Sequence, residues 1–460
     1  MQISKIKLNS YLHFAPGLEI DLTYPLGHPK QGQPLEKVCF LGQSATGKTT
    51  LLNLIKCCVC DPGQINLSAV DKSALVSGGV ELVYKLDGKH YSKVSAGEFQ
   101  FEHFDRSDYD NPKKIDYVKP FEETLDFLRL KQCSPFLINF PFCVVVPETL
   151  NEGRVLNPNT GSLESIPMGD KQVWDFDHAT ITTVWNIVFN QVESYVKEHR
   201  SQQADSFSQI TSRPEEAASI ITKFKAWETA HPNPIKELSE RCLSRILANF
   251  NLEIETDLQF YNNSSPPSGR MHIIIKSKAT GREIPYDFLS TGTKQIMLTA
   301  IPLFYLHPRN TIILFDQPET SLYPNIQCML PDAYLKTAPN NNQFFFATHS
   351  PVIASSFEPW EIVELKFDKN GWIYRKPYFS GKRHMGNYEI KPKSLRWDSA
   401  YRILFDVPDD GNEERATKLM ELASLQKRIE GTSDLQKKRS LFQQYETLAN
   451  ELDWQIKANA

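Results

Sequence analysis

The chain has 460 residues, a formal net charge of −4 and 40% hydrophobic residues. That length suits one large domain or a head with insertions, and the apolar content is enough for a sizeable core. The balance excludes a protein that coats nucleic acid by overall charge, though not a local basic groove. No apolar run approaches the roughly 20 residues that a membrane span needs.

The opening stretch MQISKIKLNSYLHF lacks the apolar core of a signal peptide and reads as a strand, which places the protein in the cytoplasm. Residues 37–41 read as a short buried strand, 42–49 as a glycine-bearing loop, and 49–58 as an apolar helix. Of eight cysteines, Cys57, Cys58 and Cys60 cluster, but without the paired spacing that zinc requires; they read as reduced thiols packed behind the loop. Residues 63–150 alternate short strands and turns, with a hairpin signal at Asp87-Gly88 and a buried strand at 142–146. Residues 151–170 are rich in turn formers. A helical stretch follows over 175–250, interrupted at Arg213-Pro214 and at 231–234, with Trp185, Val188, Val192 and Tyr195 at helical spacing. Strand and helix alternate again over 252–365. Two helices close the chain, split at 431–434, where Gly431 suits a C-cap and Ser433 or Asp434 an N-cap. Leu441, Tyr445, Leu448 and Leu452 form an apolar stripe that packs on the head or receives a partner. The domains expected are an N-terminal lobe, 1–150, a helical insertion, 151–250, a second lobe, 251–400, and a helical hairpin, 401–460.

The stretch Gly42-Gln43-Ser44-Ala45-Thr46-Gly47-Lys48-Thr49 matches GxxxxGK[ST] in full, between a predicted strand and a predicted helix. In that setting loop N–H groups and the helix N-terminus cradle phosphates. Lys48 would reach the terminal phosphates, Thr49 would ligate Mg²⁺, and Thr50 would follow in the first helical turn. Residues 311–316 hold four apolar residues ending in Asp316, so a buried strand would deliver this carboxylate to the same metal. Gln317 and Glu319 come next. Residues 343–349 give another buried strand that ends in His349. Upstream, Ser290 and Gly292 open a helix in the stretch Phe288-Leu-Ser-Thr-Gly-Thr-Lys-Gln295, a setting fit for a second phosphate contact.

Taken in order, these blocks resemble the ABC-type ATPases, over 1–60 and 285–355 above all. The resemblance implies an α/β P-loop NTPase head with an inserted helical or coiled-coil arm and a C-terminal helical hairpin. It also implies ATP and Mg²⁺ as cofactors, and two heads closed around two ATPs. Ser290 and Gly292 would then contact the γ-phosphate of ATP held by the other copy, and His349 would sense that phosphate. The long gap between Lys48 and Ser290, with the wording DQPETSLYP and ATHSP, resembles the soluble RecF, OLD and SMC-like branch rather than transporter subunits. Among these it is similar to the ATPase of the PARIS anti-phage system, then to Septu and retron-associated ATPases. That likeness implies a larger ring-like assembly, a separately encoded nuclease or toxin effector, and a phage-encoded trigger protein.

One position departs from the family pattern. The residue after the Walker B aspartate is Gln317, and an amide orients water but accepts no proton. Either Glu319 or another group takes the proton, or hydrolysis is slow and ATP serves as an assembly clamp; slow hydrolysis with a regulatory role is the favoured expectation. Asp175-Phe-Asp177-His178 could suggest a metal site, but acidic residues ahead of a helix read first as capping. The rival functions are a DNA-repair ATPase, for which 382–384 and 437–439 are the only compact basic clusters, and a stand-alone nuclease with its site in the insertion.

Overall fold

The computed structural model describes residues 2–9, 11–59, 80–86, 89–96, 98–104, 135, 137–141, 173–176, 178–263, 273–285, 288–406 and 413–452. The chain forms two compact units, Met1–Leu395 and Arg396–Ala460.

The first unit opens with β1 (Gln2–Leu8) and β2 (Leu18–Asp21), then β3 (Lys37–Gly42) and helix α1 (Lys48–Val59). β4 (Val80–Leu86), β5 (Lys89–Ala96), β6 (Glu98–Phe104), β7 (Leu137–Phe140) and β8 (Val173–Asp175) follow. Next come α2 (His178–Ser212), α3 (Ala217–Ala230), β9 (Leu252–Ile254), β10 (Ile275–Ser277) and α4 (Thr291–Leu306). The unit ends with β11 (Ile312–Asp316), α5 (Pro324–Thr337), β12 (Gln343–Thr348), β13 (Ile362–Phe367) and β14 (Ile373–Lys376).

The central sheet runs β14-β13-β3-β12-β11-β7-β8. Its strands are parallel except the edge strand β14. Parallel sheets are covered on both faces, which is why β3, β7, β11 and β12 are mainly apolar and have every residue buried. Aromatic rings bind neighbouring strands on one face: Phe315 of β11 stacks on Phe140 at 4.8 Å, on Phe346 at 5.2 Å and on Tyr334 of α5 at 4.4 Å. Such pairs contribute about 1 kcal/mol each beyond the area they bury.

A second, antiparallel sheet has the order β2-β1-β4-β5-β6. β4 pairs with β5 from Val80↔Ser95 to Leu86↔Lys89, as the hairpin signal at 87–88 requires; those two residues lie outside the described residues. β1 is shorter than the apolar stretch suggested. It ends at Leu8, and the chain then turns through Leu12 (φ 47°) to place Phe14 beside β14. The strand expected at 142–146 also lies outside the described residues.

The helical arm keeps its sequence punctuation. α2 stops before Arg213-Pro214, and α3 stops at His231, ahead of Asn233, whose side chain caps the next turn at Ile235 N and Lys236 N. Val188, Val192 and Val196 are buried along α2. Within the range 151–250 expected for the insertion, β8 belongs to the central sheet and pairs with β7. Asp175 is correspondingly no helix cap. It ends β8, accepting from Lys56 Nζ at 2.5 Å and from Asn139 Nδ2 at 2.7 Å.

In the second unit, α6 (Trp397–Phe405) precedes α7 (Glu413–Glu430) and α8 (Leu435–Glu451). Asp434 caps α8 through Gln436 N at 2.9 Å. Leu452 is buried with Leu422 and Ala449, Tyr445 and Leu448 pack beside them, and Leu441 is buried as well. The apolar stripe thus holds the two helices of the hairpin together, an occupant the sequence reading did not weigh.

One buried amide joins the two sheets of the head. Gln343, fully buried at the start of β12, donates to Ile3 O and Leu35 O at 2.9 Å and accepts from Ile3 N at 2.6 Å. Gln343→Leu strands three buried backbone groups and is expected to destabilise the head by about 3 kcal/mol, read by urea unfolding. A loss under about 0.5 kcal/mol would show that the two sheets do not depend on this amide.

Candidate functional site

The site lies where β3, β11 and β12 end side by side. In parallel α/β sheets this carboxyl edge is where ligands bind. β3 runs into the loop 42–47, and α1 starts at Lys48. The loop crest at Gln43, Ser44 and Ala45 is exposed, while Thr46 and Lys48 are buried. Ala45 holds a left-handed φ of 66°, an uncommon conformation for a residue with a β-carbon and one typical of functional loops. Thr46 Oγ1 braces the loop on Gln43 O at 2.8 Å. Gly47 has φ 79°, and a β-carbon there would sit 2.5 Å from the ring of Phe14, which is itself 1% exposed. The phosphate loop therefore rests on an aromatic ring from the N-terminal segment, a support that no motif announced.

Lys48 Nζ donates to Gly42 O at 2.9 Å and Gln43 O at 2.8 Å. Burial lowers its pKa to about 8, against the opposing pull of Asp316 and Glu319. Thr49 Oγ1 bonds both oxygens of Asp316, at 2.9 and 3.2 Å. Asp316 is 8% exposed, and burial raises its pKa more than the Thr49 bond and Lys48 lower it. A hydroxyl and a carboxylate at the same point are hard oxygen donors of the kind Mg²⁺ selects. Thr50, half-buried, follows in α1.

After Asp316 the chain turns sharply. Gln317 has φ 48° and Ser321 φ 61°. Gln317 N donates to Ala347 O at 2.8 Å, so this turn is tied to β12. Glu319 Oε1 accepts from Thr348 Oγ1 at 2.6 Å and His349 N at 3.0 Å, while Oε2 is buried without a partner. Burial is the main cause raising the Glu319 pKa, and the charge of Asp316 adds to it. His349 is partly buried; burial and the positive charge of Lys48 lower its pKa, while the Gly42 carbonyl opposes them.

The structure thus brings Lys48, Thr49, Asp316, Glu319 and His349 together. Ser290 and Gly292 stand apart at the start of α4. Ser290 caps that helix, its Oγ accepting from Thr293 N at 3.2 Å. Gly292 presses on the turn after Asp316: a β-carbon there would lie 2.4 Å from Ser321 O. Among the described residues no group of three or more His, Cys, Asp or Glu is arranged to hold a metal, and no helix is long and apolar enough to cross a membrane. Of the basic clusters, Arg383 is already engaged, bonding Asp21 at 2.9 Å.

Residues 171–354 match the family model of the AAA ATPase domain. The matched span contains Ser290, Asp316, Glu319 and His349, and the phosphate loop precedes it. No curated protein matches the chain. Among solved structures the chain is similar to an SMC head bound to the C-winged helix domain of ScpA. The two share 12% identity over 82% of this chain and 97% of that one, with a TM-score of 0.44. The SMC head domain from Thermotoga maritima shares 12% identity over 82% and 99%, with a TM-score of 0.39. An Smc head with an extended coiled coil, bound to the C-terminal domain of ScpA and derived from Pyrococcus furiosus, shares 13% over 82% and 96%, with a TM-score of 0.41. At such scores the likeness decides nothing about ligands or partners.

A lysine held near pKa 8 by burial would regain its ordinary pKa beside phosphate. ATP binding is therefore expected to take up a proton between pH 8 and about 10, and affinity to fall up to about tenfold per pH unit above 8. Calorimetry in buffers of different ionisation enthalpy reads the uptake. Binding without proton exchange across that window would mean that Lys48 is already fully charged.

Proposed function

We propose that the protein is an ABC-type ATPase that holds Mg·ATP between two copies of its head and hydrolyses it slowly. We further propose that it uses this cycle to hold and release a separately encoded effector in anti-phage defence. The observation that carries the ATPase reading is the meeting of Lys48, Thr49, Asp316, Glu319 and His349 at the ends of three adjacent strands. Loop N–H groups and Lys48 would hold the phosphates of ATP, and Thr49 and Asp316 would hold Mg²⁺. When bound, that ion supplies positive charge at the phosphate oxygens. Ser290 and Gly292 would face the γ-phosphate bound by the other copy, as the family resemblance implies. Support comes from the N-terminus of α4, whose first N–H groups form an anion-binding end.

Slow hydrolysis rests on Gln317. The turn presents an amide at the position next to Asp316, and the nearest carboxylate after it, Glu319, is engaged with β12. The defence role rests on the resemblance in wording and on the helical arm and hairpin as surfaces for an effector and a phage-encoded trigger. A larger ring-like assembly belongs to the same reading. A DNA-repair role is the second reading. It loses ground because Arg383, in one of the two basic clusters, is paired with Asp21.

Native mass spectrometry of the protein co-expressed with its neighbouring genes, with ATP present, tests the scaffold. The expected result is an assembly of several copies carrying a neighbour-encoded protein, lost in Lys48→Ala. A bare dimer without a partner, binding DNA in a salt-dependent way, would move the reading to DNA repair. Separately, Gln317→Glu is expected to raise ATP turnover by about tenfold or more, the scale of a general base. Unchanged turnover would show that proton acceptance at this position is not limiting.

A further inference from the structure

Glu319 is unusual among the buried groups of the head. One carboxylate oxygen accepts two bonds, both from the end of β12: the Thr348 hydroxyl at 2.6 Å and the His349 backbone N–H at 3.0 Å. Thr348, fully buried, passes the contact on, since its Oγ1 also accepts from Ser350 N at 2.9 Å. Ser350 Oγ then donates to Gln327 Oε1 at 2.6 Å, and Gln327 Nε2 returns to Leu322 O at 2.8 Å. The ring of bonds closes on the same turn that carries Glu319. Three of its bonds, Thr348 and His349 to Glu319 and Ser350 to Gln327, join the segment after Asp316 to the segment bearing His349.

We propose that Glu319 is a positioning residue that acts through His349, fixing the switch histidine against the phosphate loop, and is not the proton acceptor of ATP hydrolysis. The proposal rests on the ATPase reading above. Its physical basis is geometric. A histidine that follows a strand end has a free backbone torsion on its far side, and a carboxylate gripping its N–H and the preceding hydroxyl removes that freedom. At the loop, burial and then the charge of Lys48 lower the pKa of His349, and the Gly42 carbonyl opposes them. The other oxygen of Glu319 is buried without a protein partner.

Glutamine separates the two roles. Its amide oxygen still accepts from Thr348 and His349, but it cannot take a proton. The experiment measures ATP binding and steady-state turnover in the full-length protein and in Glu319→Gln, Glu319→Ala, His349→Ala and the double alanine variant, with melting temperatures checked. Expected are a kcat for Glu319→Gln within about threefold of the unsubstituted protein and a loss of about tenfold or more in Glu319→Ala with KM little changed. The double variant should fall no more than about twofold below His349→Ala, because a residue acting through another adds nothing once that other is gone. Thr348→Val, which removes one donor and keeps the volume, should lower kcat in the same direction and guards against misfolding of the alanine variant. Glu319→Gln as inactive as Glu319→Ala would make the carboxylate the proton acceptor, and losses that multiply in the double variant would make the two residues independent; either overturns the proposal. An unsubstituted protein that binds no ATP, or binds it without turnover, would instead remove the ATPase reading and this proposal with it.

Discussion

Thr49 and Asp316 are far apart in the chain, and the hydroxyl of one bonds both oxygens of the other. The rest of the head can be read as the means of bringing these two groups to one point. β3 must lie next to β12 and β12 next to β11, all parallel, so that their carboxyl ends share an edge. That order forces the chain to leave the sheet after β3 and return much later, and the intervening segments fill the excursion. Gln343 and the stacked Phe140, Phe315 and Phe346 then hold the strands in register. A shift of one residue would carry Asp316 to the wrong face.

The edge so formed is electrostatically unfinished. Lys48 and Asp316 carry opposite charges near one another, yet burial pushes each toward its neutral form, and in both cases burial outweighs the attraction. Glu319 shows the same direction. Desolvation of a buried charge reaches several kcal/mol, more than one partner across a partly wet site returns. Lys48 meets the shortfall by bonding two carbonyls of its own loop, and Thr49 by bonding Asp316. These are places where phosphate oxygens and a cation would fit with better charge complementarity. Such an edge would complement a ligand carrying both signs, as the proposed metal-nucleotide does. Its local bonds are weak enough to exchange.

What the sequence made legible was contiguous. GxxxxGK[ST], four apolar residues ending in Asp316 and a strand ending in His349 each carry their meaning within a few positions, and each took the element expected. Proline punctuated the arm at residues 214 and 234 with equal clarity, because its ring acts locally. What stayed hidden depended on remote partners. Phe14 under Gly47, Gln343 between two sheets and Asp175 against Lys56 look like an ordinary aromatic, amide and helix-opening acid until the fold supplies the neighbour. Asp175 was misread for that reason: an acid shortly before a helix has a local explanation, and only the pairing of β8 with β7 shows that it closes a strand. Glu319 lies between these cases, since its carboxylate was visible and its partners were not.

The same distinction bears on Ser290 and Gly292. The glycine looked like a phosphate contact because glycine permits close approach, and close approach is what it provides, but to Ser321 O of its own chain. Ser290 likewise uses its hydroxyl to cap α4. Neither fact removes a role toward a second copy, because an N-cap leaves the helix's first N–H groups directed outward. What changes is the reason such residues are needed. Gly292 lets α4 sit directly on the turn that holds Glu319, so the helix that would face another copy and the turn that grips His349 touch through backbone atoms. Under the proposed reading, a movement of the turn would bear on the start of α4 through this close contact.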